Sequence, residues 1–288
     1  MSATADAPAH FRRGAVRPGP LGLLREALVE VAQRRRLIRY LVQADIRKKG
    51  ADTLLGNLWW VLDPLLQMAV YVVLISVVFD RGVEDYPIFI FAAILPWKWF
   101  QSTVQDAITS VTGADRLIRQ IQFPKLVLPV ASAFAGVVNF AFGLIPLVAL
   151  MLILFQHRLS VTLLLIPVIA VVQFVFNVAV AVGLSAINVF YRDVGNLSRH
   201  ALRLWFYLSP GLYAIDLLRN ETAHIPVVGE LLLANPFAIL FTAYRDVIYS
   251  EVPPDWSALG ALLAASLVLL ALTTLLFKRA EPSFAKVL

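Results

Sequence analysis

The sequence LVLPVASAFAGVVNFAFGLIPLVALMLILF occupies residues 126–155 and contains no charged side chain. About 20 consecutive apolar residues are enough for an α-helix to cross the ~30 Å hydrocarbon core of a bilayer. The stretch is therefore predicted to span a membrane as a helix. Other long apolar blocks lie on both sides of it, so it sets the class of the whole chain.

The chain has 288 residues, of which 59% are hydrophobic and 15% are charged. This is more apolar surface than one soluble core can bury, so lipid is expected to cover most of it. We predict an all-α, polytopic membrane protein with six transmembrane helices. The predicted spans cover residues 59–79, 86–110, 126–155, 161–190, 200–218 and 258–277.

The residues before the first span divide into two segments. Residues 1–20 are rich in Ala, Pro, Gly and Arg, which is typical of a disordered tail. Residues 21–58 are predicted to hold an amphipathic helix at the membrane interface, because Leu24, Leu28 and Val31 share one helical face. A helix with a solvated charged face is the alternative interpretation.

The distribution of basic residues predicts the orientation. Eleven Lys and Arg precede the first span, and three each lie near the loops after spans 2 and 4 and at the C-terminus. The opposite loops hold four, so twenty basic residues face four. Cytoplasmic segments carry the excess of Lys and Arg, so both termini are expected in the cytoplasm. This pattern accounts for the net charge of +6 without a nucleic-acid partner.

Several kinds of catalytic site find no support in the sequence. There is no cysteine, which excludes disulfides, thiolate metal sites and cysteine nucleophiles. The four histidines are scattered through unrelated segments and have no metal-ligand spacing. No phosphate-binding G-x-x-x-x-G-K-[ST] loop is present, so any ATP hydrolysis is expected on another polypeptide.

Two apolar stretches lie between the fifth and sixth spans, at residues 226–234 and 236–249. Each is too short to cross a bilayer alone, so both are interpreted as re-entrant or interfacial helices on the outer face. Each begins with a proline, Pro226 or Pro236, which is favoured in the first helical turn, and Asn235 can cap the second helix. A surface loop is the alternative interpretation.

Two charged residues fall inside or beside predicted spans. Asp63 precedes Pro64, a pattern typical of a helix cap followed by a first-turn proline near the membrane boundary. Lys98 lies twelve residues past Tyr86, about 18 Å along a helix. A lysine at that depth is expected either to line a polar cavity or to extend its amine to the interface.

Two groups of aromatic residues can be interpreted in two ways. One interpretation is an interfacial belt at the membrane surface, and the other is a flat apolar wall on which sugar rings stack. The residues are Trp97, Trp99 and Phe100 in one group and Trp205, Phe206 and Tyr207 in the other.

Residues 115–123 are predicted to form a short amphipathic helix between spans 2 and 3. Leu117, Ile118 and Ile121 recur at helical spacing between Arg116 and Arg119, and Pro124 disfavours continuation of the helix. We interpret the segment as a docking helix for a soluble partner. A plain turn between spans is the alternative.

Six groups of short motifs follow one another along most of the chain. They are Asp45-Ile46-Arg47 with Leu55-Gly56-Asn57-Leu58-Trp59 and Pro64, Tyr86-Pro87 with Leu95-Pro96-Trp97, Leu117-Ile118-Arg119 with Phe123-Pro124-Lys125 and Leu128-Pro129, Asn188 to Val194, Leu208 to Tyr213, and Asn235-Pro236 with Tyr244-Arg245-Asp246. In this order they resemble the permease subunits of polysaccharide ABC exporters, the type-two ABC permease group that moves O-antigen, capsule, teichoic acid and related glycans. Asp63 and Lys98 depart from the family pattern, which has a neutral residue and a small or amide side chain there.

The resemblance implies an arrangement and a substrate. Residues 59–288 would be a transmembrane permease domain in a bacterial inner membrane, and two copies would pair with two ATPase subunits that hold ATP and Mg. A glycan on a polyprenyl diphosphate carrier would pass outward through a canal between the copies.

The resemblance also implies roles for individual residues. Those expected to couple to the ATPase are Arg116, Leu117, Ile118, Arg119, Ile121 and Phe123. Those expected to line the canal are Lys98, Trp97, Trp99, Phe100 and Tyr207. Those expected to form the outer gate are Pro226, Asn235, Pro236 and Tyr244.

Other functions remain as alternatives. A permease of the same superfamily that exports a drug or lipid would share the topology but would favour a purely apolar cavity. A membrane enzyme would need a convergent polar site, and a secondary transporter would show repeated halves. Neither of these last two signatures is present in the sequence.

Overall fold

The computed structural model describes residues 18–51, 54–78, 83–121, 123–212 and 235–288. The described residues form helices joined by short connections, and no strand occurs among them. Ten α-helices are described: α1 Pro20–Gln33, α2 Arg35–Gly50, α3 Trp59–Val72, α4 Tyr86–Ser110, α5 Asp115–Gln120, α6 Val127–Ile153, α7 Ile166–Phe190, α8 Val194–Leu208, α9 Pro236–Ile248 and α10 Trp256–Val287. A π-helical segment, Val73–Val78, extends α3. Short 3-10 segments occur at Gly56–Leu58, Thr112–Ala114, Gln156–Arg158 and Val161–Leu165.

Four described segments are long and apolar enough to cross a membrane. They are Trp59–Ser76, Val127–Ile153, Val161–Phe190 and Trp256–Phe284. These coincide with four of the six predicted spans and establish a multi-pass membrane protein. The spans predicted at 86–110 and 200–218 are not among these four and remain predictions, and residues 213–218 lie outside the described residues.

The predicted interface helix over residues 21–49 is divided into two helices. Arg34 breaks the helical path with φ −94° and ψ 20°, and α2 begins at the next residue. α1 packs on α10 and α2 packs on α6. Two ion-pair groups accompany this packing, since Lys278 of α10 contacts Glu30 at 2.9 Å and Lys49 of α2 contacts Asp106 of α4 at 2.5 Å.

α4 is the central helix, with α3, α6, α7, α8 and α9 packed around it. Its side chains from Ile88 to Leu95 are almost completely buried. Gly136 permits the close approach of α6, because a β-carbon there would collide with Thr103 of α4. A small residue at the contact lets two helix backbones come together without a side chain between them.

The bundle has two ends, which we name after the short helices beside them. At the α5 end, a second hydrophobic cluster joins α5 to the N-terminal part of α6 and the last turns of α7 and α10. At the α9 end, α9 lies antiparallel to the first half of α4. Its first turn places Phe237 against Trp97 and Phe100, whereas Tyr249, which follows its last turn, contacts the carbonyl of Glu84.

Two predictions concern residues outside the described ranges. Residues 1–17 of the predicted disordered tail lie outside them, and so does the whole predicted apolar stretch 226–234, including Pro226.

Candidate functional site

Asp63 and Lys98 form an ion pair between α3 and α4, with 2.6 Å between Asp63 Oδ2 and Lys98 Nζ. The interpretation of Asp63 as a helix cap is wrong. α3 begins at Trp59, so Asp63 and Pro64 lie inside it, and Leu58 takes the N-cap position. Pro64 is the sixth residue of α3, past the first turn, so its missing N–H leaves the carbonyl of Trp60 without its helical donor.

The ion pair lies at the edge of a cavity of about 250 Å³. The cavity combines two charged groups, an amide and several aromatic rings on α3, α4 and α6. Its lining residues are Trp59, Trp60, Asp63, Pro64, Leu95, Lys98, Trp99, Ser102, Asn139, Phe140 and Gly143. Trp99 stacks on Phe140 with 4.6 Å between ring centroids, so one wall of the cavity is aromatic.

The other aromatic residues assigned to the canal lie in different places. Trp97 and Phe100 are buried inside the chain, where their rings pack around Phe237 of α9. Tyr207 of α8 is 52% exposed and does not line this cavity. Of the five residues, only Lys98 and Trp99 are brought together at one cavity, and the canal-lining role stays a prediction for all five.

The short helix α5 presents its apolar residues in two directions. Ile118 is 7% exposed and packs into the chain's own core at the α5 end, with Phe123 packed against the same cluster. Ile121 is 55% exposed, Arg116 is exposed, and Leu117 is partly buried. Arg119 is exposed and donates a hydrogen bond to the main-chain oxygen of Leu288. A partner could therefore reach Ile121 but not Ile118.

Arg245 organises the α9 end, a role that the sequence did not reveal. Its guanidinium is buried and donates to the carbonyl oxygens of Pro210, Gly211 and Phe89. The guanidinium carbon also lies 3.7 Å from the centre of the Phe89 ring. Five N–H donors in a planar fork allow one side chain to satisfy several carbonyls at once. Arg245 thus fixes the chain that leaves α8 to the start of α4.

Residues of three sequence motifs meet beside Arg245. The Tyr86 hydroxyl donates to the carbonyl of Leu212 at 3.0 Å. The Asn235 side chain donates to Ser209 Oγ at 2.8 Å and accepts from Trp205 Nε1 at 3.0 Å. Motifs that are far apart in the sequence are therefore joined by hydrogen bonds in the folded chain.

The predicted cap of α9 is confirmed. The Asn235 side chain accepts a hydrogen bond from the backbone N–H of Phe237, and Pro236 occupies the first helical turn. Tyr244 is buried in the core rather than exposed at an opening. The outer-gate role of these residues stays a prediction.

Asp85 anchors the turn before α4. Its backbone is left-handed, with φ 51°, and its carboxylate accepts from Arg158 Nε at 2.9 Å and lies 2.7 Å from His157 Nε2. Burial opposes ionisation of this carboxyl, but the contacts with His157 and Arg158 outweigh burial and lower its pKa. His157 thus has a structural partner in Asp85. Among the described residues, no group of three potential ligands that could hold a metal ion occurs.

Comparisons with known proteins place the chain among permeases. No family model matches the sequence. The chain is 33% identical over 257 residues to the O-antigen export system permease protein RfbA of Myxococcus xanthus, a match that covers 89% of this chain and 97% of the relative. Two further relatives of the same name, both from Klebsiella pneumoniae, are 25% and 24% identical over 253 residues, or 88% of this chain and 95% of each relative.

The length of these matches agrees with the fold. The Myxococcus match covers 257 of the 288 residues, so it extends over most of the helices that the structure describes. The relatives are permease subunits of export systems, which are transporters and not enzymes. The chain belongs to the family of O-antigen export system permeases, the type-two ABC permeases of polysaccharide export.

Proposed function

We propose that this chain is the membrane-spanning subunit of an ATP-driven exporter that carries a polyprenyl-diphosphate-linked polysaccharide outward across a bacterial inner membrane. Two copies would enclose the canal, and two ATPase subunits would supply the energy with ATP and Mg. The names of the relatives support this proposal, because they describe permease proteins of O-antigen export systems.

The ion pair between Asp63 and Lys98 is the observation that carries the proposal. The Asp63 side chain is 60% exposed and that of Lys98 is 29% exposed. A charged pair facing hydrocarbon would lose its hydration without full compensation, so charged residues in spans are found facing water or protein. We infer that this side of α3 and α4 faces an aqueous canal.

The position of α3 supports a second copy at the same face. Only 11% of the residues in the apolar segment Trp59–Ser76, which includes α3, are buried within the chain. Leu66, Val70 and Val73 are among its exposed residues. These apolar side chains would contact lipid or the second copy, while the cavity beside them opens to the canal. Its aromatic wall suits sugar rings, and Lys98 suits the diphosphate of the carrier.

The remaining features fit this arrangement. Six spans would place both termini in the cytoplasm, where the α5 end would meet the ATPase through Ile121, Arg116 and Arg119. α9, which reaches inward to Phe237, would be a re-entrant helix on the outer side. Its irregular connections are tolerable at membrane depth because their carbonyl groups are bonded to Arg245 and Tyr86.

Cysteine labelling tests the aqueous canal, since the chain has no native cysteine. Lys98→Cys would be made together with Asp63→Asn, so that no unpaired carboxylate remains, and the transporter would be assembled with its ATPase. A water-soluble maleimide should label position 98 in at least one nucleotide state. Val148→Cys is the matched control, because Val148 is 50% exposed on α6 and should face lipid.

Two results would contradict the proposal. Position 98 should react whenever water reaches it, so failure to label it in every nucleotide state would exclude a canal along this face. Equal labelling of positions 98 and 148 would show that water reaches position 98 no more readily than a lipid-facing position, and the inferred orientation of α3 and α4 would then be wrong.

A further inference from the structure

The first two helices carry basic side chains that no acidic side chain in the described part of the chain neutralises. Within residues 18–51, the acidic residues are Glu26, Glu30 and Asp45. Glu26 and Glu30 lie 3.1 and 2.9 Å from the buried Lys278 of α10. Asp45 lies 3.0 Å from Lys49, which also contacts Asp106. The acidic groups of this segment are therefore already paired.

Seven other basic residues on the same two helices are exposed. They are Arg25, Arg34, Arg35, Arg36, Arg39, Arg47 and Lys48. Their side chains form no ion pair with any described residue. Arg34, Arg35 and Arg36 are consecutive at the break between α1 and α2, so three guanidinium groups are concentrated at one corner of the molecule. No described acidic side chain pairs with this corner, so its guanidinium groups are available to an anionic partner.

An apolar groove of about 370 Å³ runs along α1 next to this corner. Leu24, Leu28 and Val31 form one side of it, and Phe134, Val178 and Leu270 of three spanning helices contribute to the other. Among its lining residues, only Thr274 has a polar side chain. Arg34 is three residues beyond Val31, or about 4.5 Å along a helix axis. An anionic group and an apolar chain on one ligand could thus be bound together.

We propose that this corner and groove bind an anionic phospholipid of the surrounding bilayer. The phosphate-containing headgroup would lie on Arg34, Arg35 and Arg36, and one acyl chain would occupy the groove beside α1. Guanidinium groups bind phosphate through charge-assisted and often bidentate hydrogen bonds. The basic cluster on an amphipathic helix next to a span has the composition of a site for anionic lipids.

The environment of α1 favours a lipid over a soluble acidic partner. Leu21 and Leu28 are 83% and 74% exposed, and α1 packs against the membrane-spanning helix α10. Exposed leucines on a helix next to a spanning helix are stable in hydrocarbon and costly in water. The groove therefore opens toward the acyl chains of the bilayer.

Lipid quenching on the full chain tests the site. Gln33→Cys, an exposed position at the end of α1, would carry a fluorophore in nanodiscs that contain brominated phosphatidylglycerol or brominated phosphatidylcholine. We expect a several-fold preference for phosphatidylglycerol. Since each arginine near an anionic surface contributes about fivefold in affinity, the loss of three in Arg34→Gln/Arg35→Gln/Arg36→Gln exceeds a several-fold preference and should abolish it.

Three further variants separate a bound lipid from general surface charge. Replacing the same three arginines with lysine should largely retain the preference, and Arg192→Gln/Arg203→Gln, which removes two exposed arginines elsewhere, should leave it unchanged. Ala271→Phe, which fills the groove without altering charge, should weaken binding of phosphatidylglycerol. Equal quenching by both lipids in the otherwise unaltered chain would overturn the proposal.

A soluble partner at this corner would give a different result. The three-glutamine variant would then keep its lipid preference but lose co-purification with the ATPase, and that outcome would also overturn the proposal. An Ala271→Phe variant that binds phosphatidylglycerol as before would exclude the groove. The experiment does not depend on export, so it is independent of the proposed transport function.

Discussion

At the scale of single residues, the ion pair between Asp63 and Lys98 changes the expected effect of removing either charge. Each alone is costly within a membrane, so Lys98→Met considered by itself would remove a costly charge. The 2.6 Å contact alters that expectation, because the substitution would leave Asp63 without its counter-ion. Single and double variants of Asp63 and Lys98 can therefore separate the contribution of the ion pair to protein stability from its role in export.

We predict that Lys98→Met lowers the free energy of unfolding in detergent by about 0.5–1 kcal/mol. The loss is modest because the Asp63 side chain is largely exposed. Asp63→Asn/Lys98→Met should restore stability but not export, if the amine binds the diphosphate. Asp63→Asn alone should keep export. Polysaccharide at the cell surface measures the second effect, and normal export by the double variant would rule out a substrate contact.

Arg245 provides a second prediction at this scale. Arg245→Lys replaces a planar fork with a compact ammonium group that cannot reach the carbonyls of Phe89, Pro210 and Gly211 together. Buried carbonyls without a donor each cost about 1–3 kcal/mol, so we expect a total loss of roughly 2–4 kcal/mol in the free energy of unfolding. Thermal unfolding in detergent measures it. The exposed Arg116→Lys is the control and should unfold like the unaltered protein; equal stability of both variants would show that Arg245 does not hold the α9 end.

At the scale of elements, α5 divides its apolar residues between the chain's own core and the surface. A helix of six residues has too little contact area to be stable alone, and Ile118 anchors it in the cluster at the α5 end. This leaves Ile121 as the exposed apolar residue beside Arg116. An element can thus be fixed to its own bundle through one side chain and present another to a partner.

The two isoleucines give a matched pair of variants. Ile121→Asp should insert and unfold normally but lose co-purification with the ATPase and export, because a charge would be placed in the apolar contact. Ile118→Asp should instead destabilise the permease by about 3–5 kcal/mol, because the carboxylate would be buried without a partner. Unfolding temperature and ATPase pull-down distinguish the two. Normal export by Ile121→Asp would exclude this residue from coupling.

At the scale of the whole molecule, the charge distribution can be compared with the predicted orientation. The α5 end is adjacent to Arg116, Arg119 and Lys125, and the C-terminal residues lie at the same end, where Arg119 contacts Leu288. The α9 end carries Arg158 and Arg245, and both are bonded inside the protein. The positive-inside rule therefore predicts that the α5 end is the cytoplasmic one.

We predict that a reporter fused after Leu288 is active in the cytoplasm. One inserted after Ser250, an exposed residue between α9 and α10, should be active only on the outer side. Paired cytoplasmic and exported reporters at each position measure this. A cytoplasmic signal at residue 250 or an exported signal at residue 288 would reverse the predicted orientation, while leaving the helix packing as described.

The sequence by itself determined the class of the protein, four spanning segments, the short helix at residues 115–120 and the cap at Asn235. These features depend on contiguous residues, since apolar length, helical spacing and capping chemistry act within a few turns. The sequence did not determine whether residues 21–49 form one helix or two, because the break at Arg34 carries no proline or glycine signal.

The tertiary structure alone decided which side chains meet. Asp63 and Lys98 are 35 residues apart, and Arg245 reaches carbonyls 34 and 35 residues before it and a third 156 residues before it. Periodicity predicts which residues share a helix face, but not how the helix is rotated against its neighbours. Ile118 and Ile121 both have the spacing of an apolar helix face, so the sequence does not distinguish them. Ile118 is buried and Ile121 is exposed because packing fixes that rotation, which depends on all the helices around α4 together.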